Sequence, residues 1–416
     1  MSTMEAPANL SYREVLRDRR VAGLLLGDLL AGVGTGMIIV AMPIQTLAIH
    51  GSLPRAIAIG LVEAAPFVLS TVLALAIGLG RVRLPPRLLL IADCVLRSLT
   101  FATLGLLGIT GRLTLPVLIG GLLVGAVFRM AAASSRRLLA TELAGESGRF
   151  AANGLLGLNS SFALYIVGPV LGGVIATTTA PGYALLADAA GALVLLAAVI
   201  IFVPRSIRPP QPDPVDTVRP RSGWRILRRR PAAARLLVVV FFFNLLYMPI
   251  EIALPLLVRD RLAADPSALG LLWGALGVGA LIGAALVNQL RRLPQRRLLI
   301  VIIALWALCP IALAFVGSLP LALVVFGLGG LVWAPFTPVA YSFLQSGLEP
   351  DEQQQVVTLW TTGSVVAAPL GLSLGGPLVE VAGVAGGLAL SGALTLLLVP
   401  IAVLAVLRRG EPAGRG

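Results

Sequence analysis

The sequence predicts an all-α membrane protein with twelve transmembrane helices in two pseudo-symmetric six-helix bundles. Hydrophobic residues make up 57% of the 416 residues and charged residues only 12%, whereas a soluble domain has about 25% charged residues. Apolar runs recur along the chain at roughly the 20-residue length that a helix needs to cross a bilayer. The two halves of the chain also resemble each other in sequence. These three observations together predict the fold class.

Twelve apolar runs, separated by polar or turn-forming segments, are the predicted spans. The first six lie at 21–47, 56–79, 88–109, 113–133, 153–176 and 183–203, and the second six at 236–258, 268–290, 298–316, 321–343, 356–379 and 386–407. A segment rich in proline and arginine, which cannot bury a core, separates them. We expect an N-terminal segment at 1–20, a first bundle at 21–203, a linker at 204–235, a second bundle at 236–407 and a tail at 408–416.

The charge distribution predicts the orientation of the chain. The net charge is +13, all 32 basic residues are arginines, and 26 of these arginines lie in the termini and in alternate loops. Cytoplasmic loops of membrane proteins carry such an excess of basic residues. We therefore expect a multi-pass protein of the bacterial inner membrane with both termini in the cytoplasm. No basic soluble face points to nucleic acid as a partner.

The sequence offers little for catalysis or for cofactor binding. His50 is the single histidine, and Cys94 and Cys309 lie far apart in predicted spans, so neither a metal site nor a disulfide framework is indicated. A phosphate-binding loop that ends in Gly-Lys-Ser or Gly-Lys-Thr cannot exist in a chain without lysine. We expect no cofactor, no metal and no enzymatic activity.

An internal repeat connects the two halves. The nonapeptide at 83–91, Arg-Leu-Pro-Pro-Arg-Leu-Leu-Leu-Ile, matches the one at 292–300, Arg-Leu-Pro-Gln-Arg-Arg-Leu-Leu-Ile, at seven positions. Each follows the second span of its half. Such duplication of a six-helix unit is found in many secondary transporters.

Span five carries a distinctive motif. It contains Gly168, Pro169, Gly172 and Gly173 in the string Gly-Pro-Val-Leu-Gly-Gly. Proline removes a backbone donor and bends a helix, while glycines four residues apart allow close approach of another helix. The string predicts a bent span that packs tightly against a partner.

This motif, with the repeat and the basic linker, resembles exporters of the major facilitator superfamily. The resemblance extends over nearly the whole chain and favours the branch of drug and siderophore exporters, which includes macrolide-efflux-like and enterobactin-exporter-like proteins. The loop after span two keeps Gly78 and the arginines but lacks the aspartate of the superfamily pattern. The resemblance implies alternating access about a central site, with the bent fifth and eleventh spans at the seam between lobes, and a protein that works as a monomer.

Ionisable residues inside spans are the candidate functional residues, because a charge in the bilayer costs several kcal/mol. Asp28 in span one and Glu251 in span seven are candidates for substrate or proton coupling, because these spans line the central cavity in the resembled fold. Glu63 in span two is a third candidate. A carboxylate in a dry site has a raised pKa and can therefore exchange protons near neutral pH.

Five further charged residues have more than one interpretation. Asp93 and Arg97 lie four residues apart on one face of span three, which favours a self-contained ion pair and leaves a gating or proton role as the alternative. Asp188 and Glu380 are expected to be wet residues at span boundaries. Arg129 is expected to snorkel or to pair near the cytoplasm.

The function that these features predict is proton-coupled efflux of small amphipathic compounds by alternating access. The partners would be the lipid bilayer, a small-molecule substrate and the proton. A metabolite importer of the same fold is an alternative, although only Arg97 and Arg129 could supply positive charge to a cavity for organic anions. A membrane receptor or scaffold without transport is another.

Overall fold

The computed structural model describes residues 10–78, 84–205, 223–290, 292–346 and 348–407. Within these ranges the chain is helical and contains no strand. The predicted linker lies mostly outside them, so only its two ends are described. The N-terminal segment and the C-terminal tail are likewise described in part or not at all.

The described chain divides into two compact units, Met1–Ile49 with Ala65–Asp213, and His50–Ala64 with Pro214–Gly416. Residues 50–64 therefore group with the second unit, whereas the predicted bundle at 21–203 had included them. The boundaries of the predicted bundles remain a prediction.

The helices before the linker are α1 to α8. They span Tyr12–Arg17, Arg19–Ile49, Arg55–Gly78, Pro86–Ile109, Leu115–Gly125, Arg129–Phe162, Gly168–Thr178 and Gly182–Phe202. One π-helical turn at Ala163–Val167 joins α6 to α7. The short helix α1 begins with a capping box between Ser11 and Glu14. Hydrogen bonds from the Ser11 backbone N–H and hydroxyl hold the pKa of the Glu14 carboxyl below its usual range.

The helices after the linker are α9 to α16. They span Gly223–Arg229, Pro231–Leu256, Pro266–Leu290, Gln295–Phe315, Leu319–Trp333, Phe336–Gln345, Pro350–Leu396 and Leu398–Leu407. A π-helical turn at Leu257–Arg261 extends α10. The repeated nonapeptides start equivalent helices, because α4 begins directly after Pro85 and α12 directly after Pro294.

Ten ranges of the described chain are long and apolar enough to cross a membrane. Two of them, Leu115–Thr178 and Gln355–Ala405, have 64 and 51 residues, far more than the roughly 20 that one crossing requires. Each contains a glycine with a left-handed backbone, Gly145 with φ 68° and Gly383 with φ 72°, which interrupts the helix. Each range thus holds two crossings, and the predicted fold of twelve transmembrane helices is confirmed.

Residues 134–150 lie between the fourth and fifth predicted spans, where we read the polar, arginine-containing sequence as a cytoplasmic loop, and this loop assignment is wrong for most of the segment. Most of it is the first part of α6, which runs from Arg129 and kinks only at Gly145. The sequence before Gly145 is rich in alanine, leucine and arginine, which are strong helix formers, and contains neither proline nor glycine. Helix α6 therefore carries arginines that had been assigned to a loop.

Two predicted spans are broken at corresponding positions of the repeat. Span four is interrupted between Gly125 and Arg129, and span ten between Trp333 and Phe336. Pro335 accounts for the second break, because its ring cannot continue an α-helix. The interruption at this position is therefore common to both halves.

Candidate functional site

Charged side chains from four helices come together inside the first unit. Arg97 of α4 donates from Nε to Oδ2 of Asp188 on α8 over 2.7 Å, and a second guanidinium nitrogen contacts Oδ1. The same nitrogen, Nη2, lies 2.5 Å from the Thr35 hydroxyl of α2. Asp188 is fully buried. Arg97 thus connects α4 to α8 through the ion pair with Asp188, and α4 to α2 through the contact with Thr35.

A close approach of two helices creates this position for Asp188. A Cβ atom added to Gly34 of α2 would lie 2.6 Å from Cα of Asp188. Only glycine at position 34 allows the backbone of α8 to come so near. Asp188 is therefore part of the interior of the unit, and its expected place at a wet boundary is wrong.

Asp93 lies one turn before Arg97 on α4 and is also buried, with 5% of its surface exposed. Its Oδ1 atom has no hydrogen-bond partner among the described residues. The expected ion pair between Asp93 and Arg97 is wrong, because Arg97 bonds to Asp188 instead. The spacing of residues within α4 could not predict this pairing, because Asp188 lies on another helix, 91 residues further along the chain.

Asp28 of α2 forms an ion pair with a different arginine. Nη1 of Arg136, on α6, lies 2.6 Å from Oδ1 of Asp28. The Asn159 amide donates to the Leu25 carbonyl oxygen over 2.8 Å and lies 3.5 Å from the second oxygen of Asp28. With 6% of its surface exposed, Asp28 is a buried and well-satisfied carboxylate.

These residues form an alternating series that we call the charge ladder, composed of Asp28, Arg136, Asp93, Arg97 and Asp188. Asp93 lies within electrostatic range of both Arg97 and Arg136. Each of these two arginines is bonded to a different aspartate. The ladder therefore holds three carboxyl groups and two guanidinium groups, and the carboxyl group without a bonded arginine is Asp93. The ladder thus has one carboxyl group more than it has guanidinium groups.

The other predicted residues lie elsewhere. Glu63 and Glu251 are half-buried and belong to the second unit, so the structure does not bring them into the ladder. Glu380 is exposed and accepts a hydrogen bond from the Ala56 backbone N–H over 3.2 Å. Arg129 sits over the ring of Phe67, 5.2 Å from its centroid, which is a cation–π contact.

The glycine motif packs against the first long helix of its own unit. The four residues of the motif are buried: Gly168, Pro169, Gly172 and Gly173. A Cβ on Gly168 would lie 2.5 Å from Cα of Gly36, and a Cβ on Gly172 would lie 2.7 Å from Cα of Met37. Helices α2 and α7 are therefore in backbone contact. The expected place of the motif at a seam between lobes remains a prediction.

The second unit repeats this arrangement. A Cβ on Gly371 of α15 would lie 2.5 Å from the Leu245 carbonyl oxygen of α10, and a Cβ on Gly375 would lie 3.2 Å from Cα of Pro249. Close packing of the fifth helix on the first is thus a property of both halves.

Aromatic residues of the second unit mainly pack on each other. Tyr247 stacks against Trp306 and Trp333, with ring centroids 5.6 and 5.9 Å apart. Phe243 stacks on Phe336 at 3.7 Å. Phe243, Trp306 and Phe336 are buried, so these three rings belong to the core of the unit.

Three residues of the site were not predicted from the sequence: Thr35, Arg136 and Asn159. Thr35 and Asn159 are ordinary polar residues in apolar helices and carry no specific signal. Arg136 does carry one, because it follows Arg129 by seven residues and would lie on the same helix face if that segment were read as helical. The incorrect loop assignment hid this spacing.

Comparison with known proteins agrees with the architecture. The family model of transmembrane secretion effectors matches residues 15–414. The multidrug efflux pump Tap of Mycolicibacterium fortuitum is 31% identical over 409 residues, which cover 94% of this chain and 97% of that protein. The Tap pump of Mycobacterium tuberculosis is 32% identical over 140 residues, 33% of each chain.

Solved transporter structures share the fold. The nucleoside transporter NupG superposes with a TM-score of 0.74 at 10% identity, covering 94% of this chain and all 100% of that one. A bacterial homologue of the human lysosomal transporter Spinster gives a TM-score of 0.66 at 16% identity, covering 97% and 99%. The predicted resemblance is confirmed by a family match that leaves only short ends of the chain uncovered. This protein is thus a multi-pass membrane transporter that belongs to the transmembrane secretion effector family of the major facilitator superfamily.

Proposed function

We propose that this transporter exports small amphipathic compounds, drugs among them, from the cytoplasm in exchange for protons. The observation that carries this proposal is the similarity to the multidrug efflux pump Tap over nearly the full length of both proteins. A relative of equal length that shares both halves supports the same kind of transport cycle. The compounds that this chain itself exports are to be found by experiment.

The proton is the coupling ion that the charge distribution favours. Asp28 and Asp93 are buried carboxyl groups in membrane-spanning helices, and Glu63 and Glu251 are half-buried. Removing a carboxylate from water favours its protonated form. If binding of a proton and binding of substrate favour different conformations, a proton gradient can drive substrate outward. The phosphate-binding loop of ATP-driven pumps is absent from the sequence, which leaves the ion gradient as the energy source.

We further propose that the protein lies in the inner membrane with both termini in the cytoplasm and that it works as a monomer. The excess of arginine in the termini and alternate loops supports this orientation. Two six-helix halves in one chain supply both sides of an alternating-access transporter, so a second copy is not required.

A susceptibility panel tests the proposed function. An efflux-deficient bacterium would carry wild type, Asp28→Asn, Glu63→Gln, Glu251→Gln or empty vector, with equal amounts of protein verified in the membrane. We expect wild type to raise tolerance to one or more amphipathic compounds, and a proton uncoupler to abolish ethidium efflux from these cells. Protection against none of the compounds would contradict drug export, and efflux that survives the uncoupler would contradict proton coupling.

A further inference from the structure

We propose that Asp93 is the residue that binds the coupling proton, and that its charge controls the ion pairs that Arg97 and Arg136 make with other aspartates. The inference rests on the proposed proton coupling and names the group that performs it. It differs from the expectation drawn from the sequence, which favoured Asp28, Glu63 and Glu251 as coupling residues and treated Asp93 first as half of an ion pair.

The first argument is the unsatisfied oxygen of Asp93. A buried polar atom without a hydrogen bond is costly, and more so if it is charged. Oδ1 of Asp93 is such an atom among the described residues. Asp28 and Asp188, by contrast, each receive an arginine and at least one further hydrogen bond. Of the three carboxyl groups in the ladder, Asp93 is therefore the one that gains most from a proton.

The second argument is the complete set of charges around Asp93. On its own helix these are Arg97 and the thiol of Cys94. Helix α6 contributes Arg136 and Arg129, and α8 contributes Asp188. Helix α2, which contacts Arg97 through Thr35, contributes Asp28, whereas helix α5 carries no ionisable residue in its sequence. Arg129 already faces Phe67, and the other two arginines are bonded to Asp188 and Asp28.

The step that follows is a simple protonation. The Asp93 carboxylate takes one proton from water on one side of the membrane and becomes a neutral acid, which leaves Arg97 with Asp188 and Arg136 with Asp28. When Asp93 releases that proton on the other side, its negative charge competes for both arginines. The pairs that join α4 to α8 and α6 to α2 are then weakened, so the position of α4 depends on the proton.

Two measurements test the proposal, one of which needs no substrate. The first is infrared difference spectroscopy between near-neutral and alkaline buffer on the full-length protein in liposomes, a range in which exposed carboxyl groups stay ionised. We expect wild type to show the C=O band of a protonated carboxylic acid that disappears at alkaline pH, and Asp93→Asn to lack this band. Asp265→Asn, a change of the same type at an exposed residue before α11, is the matched control and should retain it.

The second measurement separates coupling from transport, with ethidium as the probe. We expect Asp93→Asn to keep ethidium counterflow without a proton gradient and to lose accumulation driven by an imposed pH gradient. Asp93→Glu should restore accumulation with a shifted pH profile, because it retains a carboxyl group. A purely structural role would reduce counterflow and accumulation together in Asp93→Asn.

The outcomes distinguish this inference from the proposed function. If Asp93→Asn retains the infrared band, or accumulates ethidium like wild type, the assignment of the proton to Asp93 is overturned. If wild type shows the band but moves no ethidium, the proton site stands and export of this class of compound is in doubt. Loss of the band in Asp93→Asn together with selective loss of accumulation supports both.

Discussion

At the scale of single residues, the Arg97–Asp188 pair is the most deeply buried ion pair among the described residues. The side chain of Arg97 is 14% exposed and that of Asp188 is not exposed at all. Removing one partner of a buried pair leaves an uncompensated charge, which is strongly destabilising, whereas replacing both partners with neutral groups is far better tolerated. The stability of the first unit should therefore depend on keeping the charges of the two residues matched.

We expect Arg97→Gln to reduce the free energy of unfolding by about 3 kcal/mol, measured from thermal or denaturant unfolding in detergent. The double variant Arg97→Gln with Asp188→Asn should recover part of this loss. Arg55→Gln is the matched control, because it breaks an exposed pair with Asp260 and such pairs contribute about 0–1 kcal/mol. Equal losses in the two single variants would contradict the importance of burial.

The sequence predicted the ionisable residues of this site better than it predicted their partners. Asp28, Asp93, Arg97 and Asp188 stood out because charges are rare in apolar helices. The pairing of Arg97 with Asp188 depends on how α4 and α8 pack, which Gly34 permits by bringing α8 close to α2. A spacing of four residues only showed that Asp93 and Arg97 share a helix face. This spacing could not show which acidic residue of another helix would bond to Arg97.

At the scale of helices, the contact between α2 and α7 is limited by backbone atoms. A methyl group on Gly172 would lie 2.7 Å from Cα of Met37, and a backbone cannot yield as the end of a flexible side chain can. Small residues of this kind allow helices in membranes to approach closely. A π-helical turn at Ala163–Val167 precedes this contact.

We expect Gly172→Ala to destabilise the protein by roughly 1–3 kcal/mol, because overpacking forces the two helices apart. Thermal stability in detergent and the amount of protein in the membrane would measure this effect. Gly157→Ala is the matched control, since a Cβ at that position meets no atom within 4 Å, and alanine in a helix gains about 0.5–1 kcal/mol over glycine. A Gly172→Ala variant as stable as Gly157→Ala would show that α2 and α7 are not in tight contact.

The locations of most helices were predictable, and their interruptions were not. Long apolar runs predicted α2, α3, α4, α8 and α12 to within a few residues. The continuation of α6 through the predicted loop was missed because hydropathy was given more weight than the helix propensity of its alanines and leucines. No proline marks the helix break after Gly125 in the sequence, whereas Pro335 marks the second break.

At the scale of the whole molecule, amino-acid composition alone was sufficient to predict a membrane protein. Packing of apolar helices on one another and against lipid explains why 57% of the residues are hydrophobic. The repeat related the two halves, and the repeated nonapeptides do start equivalent helices, at Pro86 and Gln295. The division of the chain was harder to predict, because residues 50–64 lie in the sequence of one half and group with the other. That assignment depends on contacts between distant segments, which a hydropathy pattern does not contain.

The orientation of the chain can be tested with two arginine-to-cysteine variants. The native residues Cys94 and Cys309 are buried, so an impermeant maleimide should label the wild type weakly. We expect Arg112→Cys to react in intact spheroplasts and Arg149→Cys to react only after the membrane is permeabilised. Both positions are exposed, and they lie at opposite ends of the fourth crossing. The reverse pattern of labelling would invert the proposed topology.

The depth of Asp93 has an electrical consequence. Asp93 lies seven residues into α4, about 10 Å along the helix axis from its first residue, and the hydrocarbon core is about 30 Å thick. A proton that reaches Asp93 from the far side of that core crosses most of the transmembrane field. A full crossing is worth about 2.3 kcal/mol for each 100 mV. If one proton enters for each uncharged compound exported, the cycle moves net charge, and membrane voltage alone should sustain export when both sides are at the same pH; exchange of one proton for a monovalent cation such as ethidium moves no net charge.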